Sequence, residues 1–231
     1  VRVKDESLYA AEALLRIHDK NGNFISPAEA IPILEESGLI IPVGKWIIQN
    51  AFSMCTECRK YYPEFRVSIN LSYVQILKSP LMMELKQMID HSGISCSGII
   101  VELTESGYLE GTPAVRSVWN DMKQLRIQIA LDDFGTGYSN LMNISNLEPD
   151  IVKLDRGFTL KALSRSYEYQ LMQYVIEMVH KLNQYVCVEG VETKEDLEKI
   201  KALGPDLIQG YYYSKPCSRN EFLKKFFCYS E

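Results

Sequence analysis

Short apolar runs alternate with longer amphipathic stretches along the whole chain. The apolar runs are rich in β-branched and aromatic residues, a composition typical of buried strands. We therefore predict seven strands. They are Tyr9–Leu14, Arg66–Asn70, Gly98–Leu103, Ile127–Leu131, Ile151–Lys153, Tyr185–Val188 and Leu207–Gln209.

Apolar residues recur with a 3.6-residue period in five stretches between these runs, which predicts helices. Another helix is expected to begin near Ser26, because a capping serine precedes Pro27, a residue suited to the first helical position. Gly93 stands where a helix C-cap is expected. The five periodic stretches are Pro42–Tyr61, Pro80–Ser92, Pro113–Leu125, Ser166–Leu182 and Thr193–Leu203.

This strand–helix alternation indicates βα units around a parallel sheet, hence an α/β fold. The chain length of 231 residues fits a TIM-like (β/α)₈ barrel, with an open doubly wound sheet as the alternative. No linker interrupts the pattern, so we expect a single domain over residues 1–231. Val1–Lys4 looks like the end of a strand. We therefore expect that the domain is truncated within its N-terminal strand and excised from a longer multidomain protein.

Composition narrows the function classes. A net charge of −5 argues against a basic surface for a nucleic-acid polymer. No apolar stretch reaches the length of about 18 residues that predicts a membrane span, and we expect no signal peptide. We expect a cytoplasmic domain with reduced cysteines, whose full-length protein could be membrane-anchored through a segment outside this chain.

Polar residues close the successive predicted strands. In a parallel barrel the C-terminal ends of the strands meet at one rim, where enzymes of this fold keep their active sites. For any single acid a helix cap or a surface ion pair is the simpler alternative. The residues at these ends are Glu12, Asn70, Glu102, Asp132 with Asp133, Lys153, Glu189 and Gln209.

Five of these side chains are carboxylates, which would repel one another at a shared rim unless cations compensate them. Oxygen ligands without histidine favour hard ions such as Mg²⁺ or Mn²⁺ over zinc, and the number of ligands suggests two ions. Two such ions about 4 Å apart suit displacement at phosphorus. Lys153 would add a fixed cation or a proton-transfer group.

The sequence resembles the EAL domain family of cyclic di-GMP phosphodiesterases along almost its entire length. Glu12-Ala13-Leu14 matches the motif that names the family, and six further motifs follow in family order. They are Asn70-Leu71-Ser72, Glu102-Leu103-Thr104-Glu105, Asp132-Asp133-Phe134-Gly135-Thr136-Gly137-Tyr138-Ser139, Lys153-Leu154-Asp155, Glu189-Gly190-Val191-Glu192 and Gln209-Gly210-Tyr211.

The resemblance implies a TIM-like barrel whose first strand runs antiparallel to the others. It also implies metal-dependent hydrolysis of cyclic di-GMP to linear pGpG, using two divalent cations, Mg²⁺ or Mn²⁺. One alternative is a receptor domain that binds cyclic di-GMP without hydrolysing it, and another is a different metal-dependent barrel enzyme of the enolase type. The implied partners are cyclic di-GMP, a second copy in a homodimer, and an upstream sensor or GGDEF-type domain.

The resemblance further implies residue roles. The first metal would be held by Glu12, Asn70, Glu102 and Asp132. Asp132 would bridge to a second metal held also by Asp133 and Glu189. The remaining roles are a contact of Lys153 with the nucleophilic water, substrate binding by Leu14, Arg16 and Gln209, and support of the loop Asp133–Asn140 by Glu105 and Glu192.

Overall fold

The structure is a computed structural model that describes residues 1–104, 112–136 and 147–227. The described ranges contain nine strands and nine α-helices. Strands β1 to β9 are Ala10–Ala13, Ile17–His18, Phe24–Ile25, Arg66–Asn70, Ile99–Thr104, Gln128–Phe134, Ile151–Leu154, Tyr185–Glu189 and Leu207–Gln209. Helices α1 to α9 are Pro27–Glu36, Ile40–Cys58, Tyr73–Lys78, Leu81–Ser92, Pro113–Gln124, Arg156–Ser164, Ser166–Lys181, Lys194–Lys201 and Arg219–Phe227.

The chain divides into two compact units. The first unit comprises the described residues of Ala11–Val101 and Glu110–Ile127. The second comprises the described residues of Val1–Ala10, Glu102–Leu109 and Gln128–Glu231. Strand β5 contributes its first half to one unit and its second half to the other.

In the first unit, β1, β4 and the start of β5 are neighbours in that order, and β2 and β3 form a separate antiparallel pair. Helix α2 packs on β4 and α4. Its inner face buries Phe52 and Cys55 completely, which is the apolar burial that stabilises an amphipathic helix on a sheet. Helix α4 ends at Gly93, whose φ of 66° confirms the predicted left-handed C-cap.

In the second unit the strand order is β5-β6-β7-β8-β9. Pairs β6–β7, β7–β8 and β8–β9 are parallel, as the strand–helix alternation predicts. Val152 and Val186, both fully buried, face each other in register in the core of this unit. The N-terminal segment runs antiparallel to β9 through a bridge from Arg2 to Leu207.

Several predicted boundaries were wrong. Helix α2 starts at Ile40 and not at Pro42, which is tolerated in the first turn because a missing N–H costs no helical hydrogen bond there. Three helices were not predicted: α3, α6 and α9. No helix of the described residues is long and apolar enough to cross a membrane.

Candidate functional site

Lys153 on β7 lies at the centre of a group of three carboxylates. Its Nζ is 2.7 Å from Glu102 Oε2, 2.7 Å from Glu189 Oε1 and 3.0 Å from Asp132 Oδ1. Lys153 and Glu102 are each only 3% exposed. These four residues, called the Lys153 cluster below, come from the four neighbouring strands β5 to β8 of the second unit.

Local structure differs from the prediction at these positions. Glu102, Lys153 and both aspartates lie inside their strands, whereas the acids Asp132 and Asp133 were expected to follow a strand ending at Leu131. Apolar neighbours on both sides keep the polar residues in the sheet. A prediction that ends a strand at its first charged residue therefore ends the strand too early in this protein.

A β-bulge lies at the two aspartates of β6. Leu131 pairs with Val152 and Phe134 pairs with Leu154, so β6 has one more residue than β7 in this interval. Asp133 takes up the irregularity with a φ of 59°, a left-handed conformation that aspartate tolerates better than most residues. Asp132 is buried and Asp133 is exposed as a result.

The charge of the Lys153 cluster is unbalanced. Three carboxylates and one ammonium leave a formal charge of −2 in a largely buried place. Asp132 Oδ1 is buried and accepts no hydrogen bond from any described residue, because its 3.0 Å contact with Lys153 lacks hydrogen-bond geometry. Excess negative charge and a buried carboxylate oxygen that accepts no hydrogen bond from a described residue fit a divalent cation bound by oxygen ligands.

The described residues alone do not form a complete metal site. Among them, no three His, Cys, Asp or Glu side chains are arranged to hold an ion. In the Lys153 cluster the ammonium itself occupies the point where the carboxylate oxygens converge.

Glu12 and Asn70 form a second pair of predicted ligands, within the first unit. Asn70 Nδ2 donates a hydrogen bond of 2.7 Å to Glu12 Oε1. This bond connects the ends of the neighbouring strands β1 and β4, and Asn70 is exposed there. An amide that donates to a carboxylate keeps its own carbonyl oxygen available as a ligand.

The predicted substrate-binding residues lie at exposed or half-buried positions. Leu14 and Arg16 follow β1 and are exposed, with Arg16 Nη1 donating to Leu15 O at 2.9 Å. Gln209 is half-buried at the end of β9, in register with Glu189 of β8.

Of Glu105 and Glu192, the two residues expected to support the loop Asp133–Asn140, the structure describes only Glu192. Glu192 forms an ion pair with Arg156, whose Nη2 lies 2.8 Å from Glu192 Oε1. Glu105 and the part of the loop Asp133–Asn140 beyond Thr136 lie outside the described residues. Arg156 was missed by the sequence analysis, although it directly follows the Lys153-Leu154-Asp155 motif.

Burial also affects a cysteine of β8. Burial, and then the negative charge of Glu189, raise the pKa of the Cys187 thiol to about 12, so it stays protonated at neutral pH. Cys55, Cys58, Cys96, Cys187 and Cys217, the cysteines of the described ranges, are all free thiols.

Comparison with known proteins decides the family. The EAL domain model matches residues 1–216. The chain belongs to the EAL domain family. It is 32% identical over 205 residues to "Cyclic di-GMP phosphodiesterase PdeF" of Escherichia coli K12, covering 89% of this chain and 27% of that protein. "Cyclic di-GMP phosphodiesterase PdeR" of the same organism is 33% identical over 205 residues, with 89% and 31% covered.

Solved structures agree on the fold of this EAL domain. The EAL enzyme Bd1971, in a form bound to cAMP and cyclic di-GMP, superimposes with a TM-score of 0.92 at 29% identity, covering 98% of this chain and 62% of that one. The predicted α/β fold of the TIM-barrel type is thereby confirmed over the open doubly wound alternative. The chain spans only about 27% to 31% of the length of the two curated relatives.

Proposed function

We propose that this EAL domain hydrolyses one phosphodiester bond of cyclic di-GMP and releases linear pGpG, with two divalent cations, Mg²⁺ or Mn²⁺. The Lys153 cluster carries this proposal, since its buried negative charge is not compensated by its own ammonium. Relatives named cyclic di-GMP phosphodiesterases support the substrate.

The residues proposed to hold the cations supply only oxygen ligands. When bound, such a pair of ions would act as Lewis acids and lower the pKa of a coordinated water. Asp132 would belong to this ligand set, because its Oδ1 is buried and accepts no hydrogen bond from any described residue, although the Lys153 ammonium lies 3.0 Å away. The full proposed ligand set is Glu12, Asn70, Glu102, Asp132, Asp133 and Glu189.

Lys153 would orient the reacting groups. Its ammonium has three N–H donors, and three carboxylate oxygens lie within 3.0 Å of it. Lys153 would therefore reach the attacking water by giving up the longest of these contacts, the one of 3.0 Å with Asp132. Cations that compensate the carboxylates would favour that exchange, because they weaken the attraction of each carboxylate for the ammonium.

The remaining proposed roles follow from exposure. Glu189 is half-buried and Asp133 is exposed, so solvent reaches both, and they would accept the proton of the attacking water. Arg16 is exposed and can bind two phosphate oxygens with its planar guanidinium. Leu14 and Gln209 would contact the rest of the nucleotide.

The test is a hydrolysis assay with purified protein, cyclic di-GMP and either Mg²⁺ or Mn²⁺, followed by chromatographic separation of pGpG. We expect metal-dependent formation of pGpG. Tight binding of cyclic di-GMP without pGpG would contradict the enzyme and support the receptor alternative. Turnover of a carboxylate substrate with indifference to cyclic di-GMP would support the enolase-type alternative.

Other proposals concern the whole protein. We propose that residues 1–231 act as one catalytic domain in the cytoplasm, that two copies form a homodimer, and that the full-length protein carries an upstream sensor or GGDEF-type domain. The relative MucR of Pseudomonas aeruginosa, named a bifunctional diguanylate cyclase and cyclic di-GMP phosphodiesterase, supports the last point.

A further inference from the structure

Arg156 is the first residue of α6 and lies close to the Lys153 cluster along the chain. Asp155 caps this helix, accepting hydrogen bonds from Gly157 N at 2.6 Å and Phe158 N at 3.3 Å. The Asp155 N–H also donates to Phe134 O at 3.1 Å, which connects the helix start to the end of β6. The backbone from which the Arg156 side chain projects is therefore well anchored.

The Arg156 side chain contacts the turn that follows β8. Its Nε and Nη2 both donate to Glu192 Oε1, at 3.2 Å and 2.8 Å. Its aliphatic stem lies against Gly190, where an added Cβ would overlap Arg156 Cγ and come within 2.9 Å of Arg156 Cβ. Gly190 has a φ of 79°, so both its conformation and its close packing require glycine.

This turn starts at Glu189, a member of the Lys153 cluster. Glu189 Oε1 is 2.7 Å from Lys153 Nζ, and Val191 N donates to Gln209 O at 3.4 Å. The residues from Glu189 to Glu192 are thus held by Lys153 on one side and by Arg156 on the other. A shift of Gly190 or Glu192 would move the carboxylate of Glu189.

The ion pair of Arg156 with Glu192 is too exposed to contribute much to folding stability. Their side chains are 57% and 37% exposed, and solvent screens pairs of this kind. An arginine that binds one oxygen through two N–H groups and packs its stem on a glycine nevertheless restricts the geometry of the turn. Positioning explains these contacts better than stabilisation does.

We propose that Arg156 is a positioning residue, which fixes the carboxylate of Glu189 for its role in the site by holding the turn Gly190–Glu192. The inference rests on the proposed function, since Glu189 is one of the assigned cation ligands. Groups that orient a metal ligand typically change metal affinity or activity about 10- to 100-fold when they are removed.

The test compares Arg156→Gln with the wild-type domain in three measurements. They are Mn²⁺ affinity of the substrate-free protein by electron paramagnetic resonance, kcat and KM for cyclic di-GMP, and the thermal unfolding midpoint. We expect Mn²⁺ affinity and kcat to fall about 10- to 100-fold with KM and the midpoint nearly unchanged. Arg156→Lys keeps the charge but not the planar two-point contact. Its Mn²⁺ affinity and kcat should therefore lie between those of the wild type and those of Arg156→Gln.

Three further variants sharpen the comparison. Glu192→Gln should reproduce the effect of Arg156→Gln, and the double variant should be no worse, because both changes break one contact. Arg165→Gln is the matched control, since the exposed Arg165 also forms an ion pair, 3.1 Å from Glu168, but at the far end of α6, where α7 begins. Arg165→Gln should leave Mn²⁺ affinity and kcat at wild-type values.

A crystal structure of metal-free Arg156→Gln gives a readout independent of activity. We expect Glu189 Oε1 to move away from Lys153 Nζ. Unchanged Mn²⁺ affinity and kcat, a rise in KM alone, or a lower unfolding midpoint without loss of kcat would each overturn the positioning role. A wild-type domain that neither binds Mn²⁺ nor forms pGpG would instead overturn the proposed function on which the inference rests.

Discussion

Lys153 and Glu102 are 51 residues apart in sequence, and their charged atoms lie 2.7 Å apart in a buried environment. A buried lysine that contacts three carboxylates is costly to remove, because the acids then lose their compensating charge. The same contact restricts the ammonium to one place beside the residues proposed to bind the cations. We therefore expect both stability and the proposed catalysis to depend on Lys153.

Replacing Lys153 by alanine should slow chemistry more than it weakens binding. We expect kcat to fall by a factor of about 100 to 10,000, because a positioned proton-transfer group contributes about that much. The metal-free variant should also lose about 3–5 kcal/mol in its free energy of unfolding. Steady-state kinetics and urea unfolding measure the two effects.

Lys45→Ala provides the control for this variant. Lys45 lies in a more exposed ion pair, 3.5 Å from Glu84, and its removal should change neither kcat nor stability noticeably. A Lys153→Ala domain with normal kcat and a raised KM would contradict the proposed role.

Replacing Glu12 by alanine should abolish turnover, because it removes a proposed metal ligand and the carboxylate that accepts the Asn70 amide hydrogen bond. Formation of pGpG is the measurement. Glu29→Ala is a suitable control, since Glu29 is an exposed acid in the first turn of α1. Rates near those of the wild type in Glu12→Ala would disprove the proposed site.

Removal of divalent cations should affect both activity and stability. Chelation should stop pGpG formation, and Mg²⁺ or Mn²⁺ should restore it. Added Mn²⁺ should also raise the thermal unfolding midpoint, since an ion at 100 times its dissociation constant stabilises the folded state by about 2.7 kcal/mol. The rise should be absent in Asp132→Asn, which removes one of the excess charges. A rise in that variant equal to the one in the wild type would show that the ion binds away from Asp132.

The raised pKa of the Cys187 thiol predicts that the folded protein loses stability at high pH. Its pKa is about 12 in the folded protein against an ordinary value of 9.0, so the folded state holds this proton more tightly than the unfolded state. The resulting stabilisation is complete below pH 9 and is lost as the pH rises towards 12, at up to about 1.4 kcal/mol per pH unit.

Urea unfolding at several pH values measures this effect. The free energy of unfolding should decline less steeply above pH 9 in Cys187→Ala than in the wild type. Alkylation of the native protein at pH 8 should modify the exposed Cys217 and spare Cys187, as peptide mass spectrometry would show. Rapid alkylation of native Cys187 would contradict its protonated, buried state.

Much of the fold could be predicted from local patterns. Apolar runs located the strands, and the 3.6-residue period located most helices, because both signals depend on residues close together in sequence. The boundaries failed where a tertiary contact overrides the local signal. Strand β6 continues through Asp132 and Asp133 because a bulge accommodates them, and no local pattern indicates that bulge.

The residues of the candidate site were also visible in the sequence, since strand ends in a parallel α/β fold collect polar side chains. The sequence by itself determined the number of acids, their order along the chain and the family to which they belong. Only the tertiary structure decided that Lys153 lies among three of these acids, that Asn70 donates to Glu12, and that Arg156 holds Glu192. The physical reason is that these contacts depend on strand order and register, which bring together residues that are far apart along the chain.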